Sequence, residues 1–203
     1  MHPAGENRDR DRTLRLFLAL SVPEEVKAQL HRVQLELRET VKEGARWTPP
    51  DQFHLTLKFL GGVRRSQVEP LIGALSESIA PFGPLVLTAS GLGAFPPRGK
   101  PRVLWAGVSD AAQQLPLLQR AVESASALFT AEPAVNDFSG HITLARLSEK
   151  FRGTAKELKT VLAGACQGAF GSWTVNRLGL MQSELSSAGA THLLVAEIPL
   201  KRG

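Results

Sequence analysis

One short pattern occurs twice, and it limits what this chain can fold into more than any other feature. Phe53-His54-Leu55-Thr56-Leu57 returns as Gly140-His141-Ile142-Thr143-Leu144, 87 residues further on (141 − 54). In an extended strand successive side chains alternate between faces, so each His shares a face with its Thr. The Leu and Ile residues between them point to the other face, into an apolar core. From this composition a His-apolar-Thr-apolar match arises by chance about 0.05 times, and two independent matches about 0.001 times. A single strand histidine needs no function to explain it; the pair does.

Each copy offers an imidazole and a hydroxyl side by side on a rigid element. Two imidazoles at one site can divide the work of an acid and a base near neutral pH. One takes a proton from a nucleophile and the other gives one to a leaving oxygen. Hydroxyls at Thr56 and Thr143 can donate hydrogen bonds to phosphoryl oxygens lying between them. That combination suits displacement at a phosphodiester. It needs no metal, since His-x-Thr supplies one good ligand per strand with no Asp, Glu or Cys beside it. Ser-His-Asp hydrolysis has no support either, because the chain lacks a Gly-x-Ser-x-Gly elbow.

The rest of the chain reads as frame for this pair. Its 203 residues suffice for one domain or two small lobes. A formal charge of +5 favours anionic partners, with the excess scattered. One cysteine, Cys166, excludes an internal disulfide and suits a reducing compartment. No apolar run approaches the ~20 residues that span a bilayer. Residues 1–12 are polar, carry both signs of charge and lack the apolar core of a signal peptide, so they read as a disordered tail. Residues 13–203 read as a single bilobal domain, and the protein as a cytoplasmic monomer.

Leu14 to Leu20 reads as a buried strand, followed by a Ser21/Glu24 capping box. Val26, Leu30, Val33, Leu37 and Val41 predict an amphipathic helix ending near Gly44. A loop over 47–52 leads into the first His-Thr strand, 53–60, which Gly61-Gly62 ends. Ser66/Glu69 predicts a second cap and a helix carrying Val68, Leu71, Ile72, Leu75 and Ile79. Strands follow at 84–90 and 103–108, separated by a Gly/Pro-rich basic loop over 91–102. A third helix runs from Leu115 to Phe129, its start blurred by Pro116. The second His-Thr strand spans 141–147, and Thr154/Glu157 caps a short helix. Residues 169–182 and 191–200 read as two antiparallel strands joined by a turn at Ser183 to Gly189. Strand, helix, His-Thr strand, helix, then the same again: the order implies an internal duplication with two lobes facing one another.

Other chemistry-bearing residues have weaker patterns. Strict alternation puts Arg146 on the face opposite His141, reachable only if the strand ends or bulges. Lys58 alternates onto the His54 face, as a solvated rim charge or a phosphate contact. Arg98, Lys100 and Arg102 form a basic loop able to grip an RNA backbone, with Phe95 or Trp105 available to stack on a base; a plain solvated loop fits the same residues. Phe17 and Phe53 read as core. His31 falls off its helix's apolar stripe, His2 lies in the tail, and His192 has no companion motif. Gly91-Leu92-Gly93 is too short for a dinucleotide fingerprint.

The motifs resemble the 2H phosphoesterase superfamily, and within it the RNA 2′,3′-cyclic phosphodiesterases historically called 2′-5′ RNA ligases. The matching pieces are Arg15-Leu16-Phe17 with Ala19 and Pro23, then Phe53 through Gly61, Pro101 through Trp105, and His141 through Arg146. Leu180 to Leu200, with Ser183 and Leu185, fits less specifically. The resemblance implies an α+β fold, bilobal and duplicated, with two antiparallel-sheet lobes and outer helices around a central cleft. It implies metal-independent, cofactor-free opening of a 2′,3′-cyclic phosphate on RNA to a 2′-phosphate, with weak reversible 2′-5′ ligation. It carries catalytic roles onto His54 and His141, with His54 as acid and His141 as base, and phosphate-binding roles onto Thr56, Thr143 and Arg146. Two positions depart from the family pattern. Gly140 stands where a Pro is common, which predicts a looser start to the strand, and His192 stands where an aromatic is expected. Two alternatives remain at this stage: a non-catalytic nucleotide- or RNA-binding module, and a phosphodiesterase for small cyclic nucleotides such as ADP-ribose 1″,2″-cyclic phosphate.

Overall fold

A computed structural model describes residues 12–134, 137–165, 168–186 and 189–201. Cys166, residues 1–11 of the tail and the centre of the turn at 187–188 lie outside the described residues. The strands are β1 (Thr13–Ser21), β2 (Ala45–Trp47), β3 (His54–Arg64), β4 (Leu85–Phe95), β5 (Val103–Ser109), β6 (His141–Leu147), β7 (Ala169–Val175), β8 (Arg177–Ser186) and β9 (Gly189–Pro199). The helices are α1 (Glu24–Thr40), α2 (Val68–Ile79), α3 (Gln114–Ser126) and α4 (Ala155–Ala165).

Residues 169–182 form two strands, a correction with a topological consequence. Asn176 separates β7, which pairs with β4, from β8, which pairs with β1 and β9. The C-terminal segment therefore contributes to both halves of the sheet. The curled antiparallel sheet runs β7-β4-β5-β6-β3-β1-β8-β9, with β2 added onto β6. Its two four-strand lobes meet at one residue pair, Leu55 opposite Ile142. Those two residues are the buried centres of the two His-Thr motifs, so the repeated patterns sit back to back at the molecular midline. This is the duplicated, bilobal α+β arrangement that the repeat predicts.

The helices are exchanged between lobes. Helix α2 packs on α3, and these two contact β9 and β3, whereas α1 contacts β7 and α4 contacts β4. Each lobe is thereby covered by one helix from either repeat, and one apolar core runs through both. Val26, Leu30, Val33 and Leu37 form the buried stripe of α1, with Gln34 among them. Gln34 is fully buried but satisfied, its Nε2 donating to the carbonyls of Thr48 and Leu144 at 2.8 and 2.9 Å. A buried amide so paired ties α1 to the loop before β3 and to β6.

Helix starts differ from their sequence patterns in an instructive way. Pro23 and Gln67 take the N-cap positions of α1 and α2 with no side-chain cap, so Ser21 and Ser66 do not cap. Thr154 and Glu157 do form the reciprocal box: Thr154 N–H donates to Glu157 Oε2 at 2.8 Å and Glu157 N–H to Thr154 Oγ1 at 3.2 Å. At α3 the cap comes from Asp110, which the pattern reading missed. Its carboxylate accepts from the N–H groups of Ala112, Gln114 and Leu115. Pro116 sits inside the first turn, where its missing N–H costs nothing.

Candidate active site

Both His-Thr strands carry the same irregularity, and it decides which side chains reach the site. In β3 the register against β1 slips between Lys58 and Thr56, making Leu57 an extra residue. In β6 the register against β5 slips between Ala145 and Thr143, making Leu144 the extra one. A bulge reverses the facing of the side chains that follow it, in β3 as far as a second register shift at Leu60. Lys58 and Ala145 therefore turn inward, at 2% and 0% exposure, while Phe59 and Arg146 turn out onto the histidine face.

Two sequence expectations change on this account. Lys58 is not on the His54 face. Its Nζ donates to Glu123 Oε1 at 2.5 Å and to the carbonyls of Pro133 and Glu132 at 2.7 and 3.4 Å. It is a buried, saturated ion pair with no donor left for a phosphate. Arg146 is exposed on the histidine face, and its guanidinium has no carboxylate partner among the described residues. The strand does bulge, which was the condition for its reaching the site.

The two imidazoles are held in the same manner. His54 Nδ1 lies 2.7 Å from Gln52 O, and His141 Nδ1 lies 2.7 Å from Ser139 O. A carbonyl only accepts, so Nδ1 carries the hydrogen in each ring. That leaves Nε2 of both rings without a protein partner among the described residues, free to give or take a proton. Thr56 and Thr143 are half-buried on the same face, and their hydroxyls have no protein partner among the described residues either.

Each ring also has its own aromatic wall. His54 packs against Phe17 at 5.0 Å between centroids and edge-on against His192 at 5.2 Å. His141 packs against Phe95 at 5.1 Å and Trp105 at 6.4 Å. Trp105 fits because Gly93 lies opposite it: a Cβ there would come within 2.1 Å of the indole. Gly140 is not loose. Val108 N–H donates to its carbonyl at 2.8 Å, and a Cβ would meet Val108 O at 2.5 Å. The start of β6 is thus fixed by close backbone approach, not freed by glycine.

Electrostatically the site is one-sided. Burial pushes the His54 ring down to about 4, against the Gln52 hydrogen bond, and positive charge on His192, Arg146 and His141 pushes the same way. His192 is lowered too, by burial first and then by Arg146. Sequence reasoning set His192 aside because no motif surrounds it. The β8–β9 register, Ser183 opposite His192, is what brings it beside His54. Its Nδ1 is buried without a partner among the described residues, as is Trp105 Nε1. Three imidazoles and a guanidinium influence one another here, and none of the four is paired with a carboxylate among the described residues, a setting that favours an anion.

The basic loop is less free than its composition implies. Lys100 Nζ bonds Glu149 Oε2 at 2.7 Å and Glu149 O at 3.0 Å, and Arg102 lies 3.5 Å from Glu149 Oε1. Only Arg98 of the three has no partner among the described residues. His31 bonds Gln34 on α1, away from the site, and His2 lies outside the described residues. Among the described residues no helix is long and apolar enough to cross a membrane.

Comparison with known proteins agrees with the geometry. The profile of the LigT like Phosphoesterase family matches residues 20–105 and again 107–192, one match per repeat. An Aquifex aeolicus protein named RNA 2′,3′-cyclic phosphodiesterase is 30% identical over 194 residues, 93% of this chain and 98% of the relative. One of the same name from Thermus thermophilus is 33% identical over 93% of this chain and 91% of its own length. A solved structure from Thermus thermophilus superposes with a TM-score of 0.74 at 29% identity, over 94% of this chain and 99% of that one. Escherichia coli LigT in complex with 3′-AMP shares the fold with a TM-score of 0.70 at 22% identity, over 93% and 99%. With both repeats matched, this chain belongs to the LigT-like phosphoesterase family.

Proposed function

We propose that the chain hydrolyses RNA 2′,3′-cyclic phosphate ends to 2′-phosphates by two-histidine acid–base catalysis, as a single bilobal unit. The observation that supports it most is the matched pair of imidazoles, each with Nδ1 bonded to a carbonyl two residues upstream and Nε2 open. The relatives' shared name supplies the substrate class. The cyclic phosphate sits between the lobes, its non-bridging oxygens taken by the Thr56 and Thr143 hydroxyls and the Arg146 guanidinium. A water oxygen attacks phosphorus as one neutral ring accepts its proton at Nε2. The P–O3′ bond breaks, and the other ring, protonated, gives its Nε2 proton to the departing 3′-oxygen. The 2′-oxygen keeps the phosphate. With a 5′-hydroxyl in place of water the same atoms form a 2′-5′ linkage, so weak ligation follows from microscopic reversibility.

Resemblance gives the acid role to His54. In the free protein burial holds that ring near 4, so the arriving phosphate anion must raise it for this order to hold. The deciding assay offers purified protein an oligonucleotide ending in 2′,3′-cyclic phosphate, with chelator present. Accumulation of the 2′-phosphate is expected. Product that forms only when metal is restored, or binding with no product over a day, would overturn the reading.

A further inference from the structure

The short strand β2 sets a second guanidinium beside the first. Arg46 stands directly opposite Arg146, with Ala45 opposite Leu147 and Trp47 opposite Ala145. Residues opposite one another in a ladder share a face of the sheet. Leu147 and Ala145 are buried, and Ala45 and Trp47 pack against the same core. Arg38 of α1 lies 5.4 Å over the Trp47 ring, which puts that helix on the far face of β2. Arg46 and Arg146 therefore both point onto the histidine face, and both are exposed. Arg146 has Val103 of β5 on its other side, so Arg46 lies on the flank of β6 that also meets β3 at Leu55. It stands at the seam between the lobes. Like charges directly opposite one another destabilise a sheet. No described carboxylate offsets this pair, and Glu149 is taken by Lys100 and Arg102.

We propose that Arg46 is a second phosphate subsite, holding the 5′-phosphate of the nucleotide whose cyclic phosphate lies against Arg146. The proposal rests on the phosphodiesterase reading and adds a substrate preference to it. An RNA end carries an internucleotide phosphodiester at that 5′ position, whereas a free nucleoside cyclic phosphate carries a hydroxyl. The spacing suits two phosphates on one nucleotide. Side chains directly opposite in an antiparallel pair start about 5 Å apart at Cβ, and only the ribose separates the two phosphorus atoms. A guanidinium offers paired donors to the non-bridging oxygens of a phosphate, a bond strengthened by its charge. Two such groups left unneutralised side by side attract a ligand with two anionic centres more strongly than a ligand with one. Contacts of this kind carry no base information, so the preference is for an RNA end as such and not for its sequence.

The test gives wild type, Arg46→Gln and Arg46→Lys four substrates: uridine 2′,3′-cyclic phosphate, its 5′-phosphorylated form, the dinucleotide ApU ending in a 2′,3′-cyclic phosphate, and that dinucleotide with an uncharged methylphosphonate linkage. Wild type should show a KM roughly tenfold lower for the two substrates with a charged 5′-phosphorus, the worth of one exposed charge-assisted contact. The methylphosphonate should behave like the plain nucleoside cyclic phosphate. Arg46→Gln should erase the advantage, with kcat changed far less. It should alter KM for uridine 2′,3′-cyclic phosphate under threefold, which also shows that the variant folds. Arg46→Lys, which keeps the charge, should retain most of the advantage. Equal losses on all four substrates, no loss on any, or a methylphosphonate as good as the charged dinucleotide would overturn the subsite. If wild type turns over none of them, the activity reading falls and binding decides the subsite. Uridine 2′,5′-bisphosphate should then bind more tightly than uridine 2′-monophosphate, and Arg46→Gln should remove that difference; a difference that survives the substitution, or none in wild type, would overturn it.

Discussion

The two His-Thr strands share a backbone and differ in their flanks. Both begin with an imidazole pinned through Nδ1, both expose a hydroxyl two residues later, and both bulge at the next apolar position. Beyond the bulge they part. Where β3 has Lys58 and Phe59, β6 has Ala145 and Arg146; beside Thr56 stands Ala19, and beside Thr143 stands Trp105. The repeats share the pinned imidazole, the hydroxyl and the bulge, and differ in what stands beyond it. On the two-histidine reading proposed above, the shared part is what the reaction needs twice and the divergent part is what it needs on one side.

The widest consequence of the shared part is catalytic. If the rings divide acid and base work, His54→Ala and His141→Ala should each lower kcat/KM by at least ~10²-fold, the lower range for one general acid or base. The double variant should lose much less than the product of the two, since a pair acting as a unit is non-additive. Steady-state kinetics on a cyclic-phosphate oligonucleotide measures this. A large loss at one histidine and none at the other would break the symmetry on which the mechanism rests.

The next test lies at the first divergent position. Lys58 is buried against Glu123 and two carbonyls, whereas its equivalent Ala145 puts only a methyl group into the core. Removing one partner of a buried pair leaves the other uncompensated, so Lys58→Ala should cost roughly 3–5 kcal/mol of stability. Lys58→Met with Glu123→Gln, which removes both charges, should recover much of that. Urea unfolding reads the loss. The folded fraction should keep its KM, since Lys58 does not face the substrate; a raised KM at unchanged stability would return it to the site.

How much of this was legible in the sequence depends on the range of the interaction. The His-Thr pairs, their strands and the lobe duplication follow from local alternation and one repeat, and 141–147 is found as read. Lys58 and Arg146 were placed on the wrong faces by strict alternation, because a bulge is set by the partner strand and leaves no mark in a run such as Leu-Thr-Leu-Lys-Phe. The fates of Lys100 and Arg102 turn on Glu149, nearly fifty residues away, which loop composition does not include. His192 needed the β8–β9 register: the sequence puts the turn at Ser183 to Gly189, whereas the ladder continues to Ser186 opposite Gly189 and so pairs Ser183 with His192.

The smallest effect concerns the unequal settings of the two rings. His54 is lowered to about 4, mainly by burial, with positive charge on His192 acting in the same direction. A ring whose folded pKa lies below its unfolded value of 6.5 disfavours protonation in the fold, so the unfolded chain binds more protons between pH 6.5 and 4. Stability should therefore be full above pH 6.5 and fall with acidification, by about 2 kcal/mol at pH 5 from this ring. His54→Gln should flatten that slope in urea unfolding at pH 7 and pH 5. NMR titration should then show His54 near 4 in the free protein and well above it with adenosine 2′-monophosphate bound, the rise its acid role demands. His192→Phe keeps a ring edge against Phe17 and His54 but removes the charge, so it should raise the His54 midpoint slightly while leaving the fold intact. His192→Ala, which admits water as well, should raise it further. A His54 midpoint that stays low with nucleotide bound would hand the acid role to His141, and one that starts near 6.5 in the free protein would show that His192 and Phe17 do not enclose it.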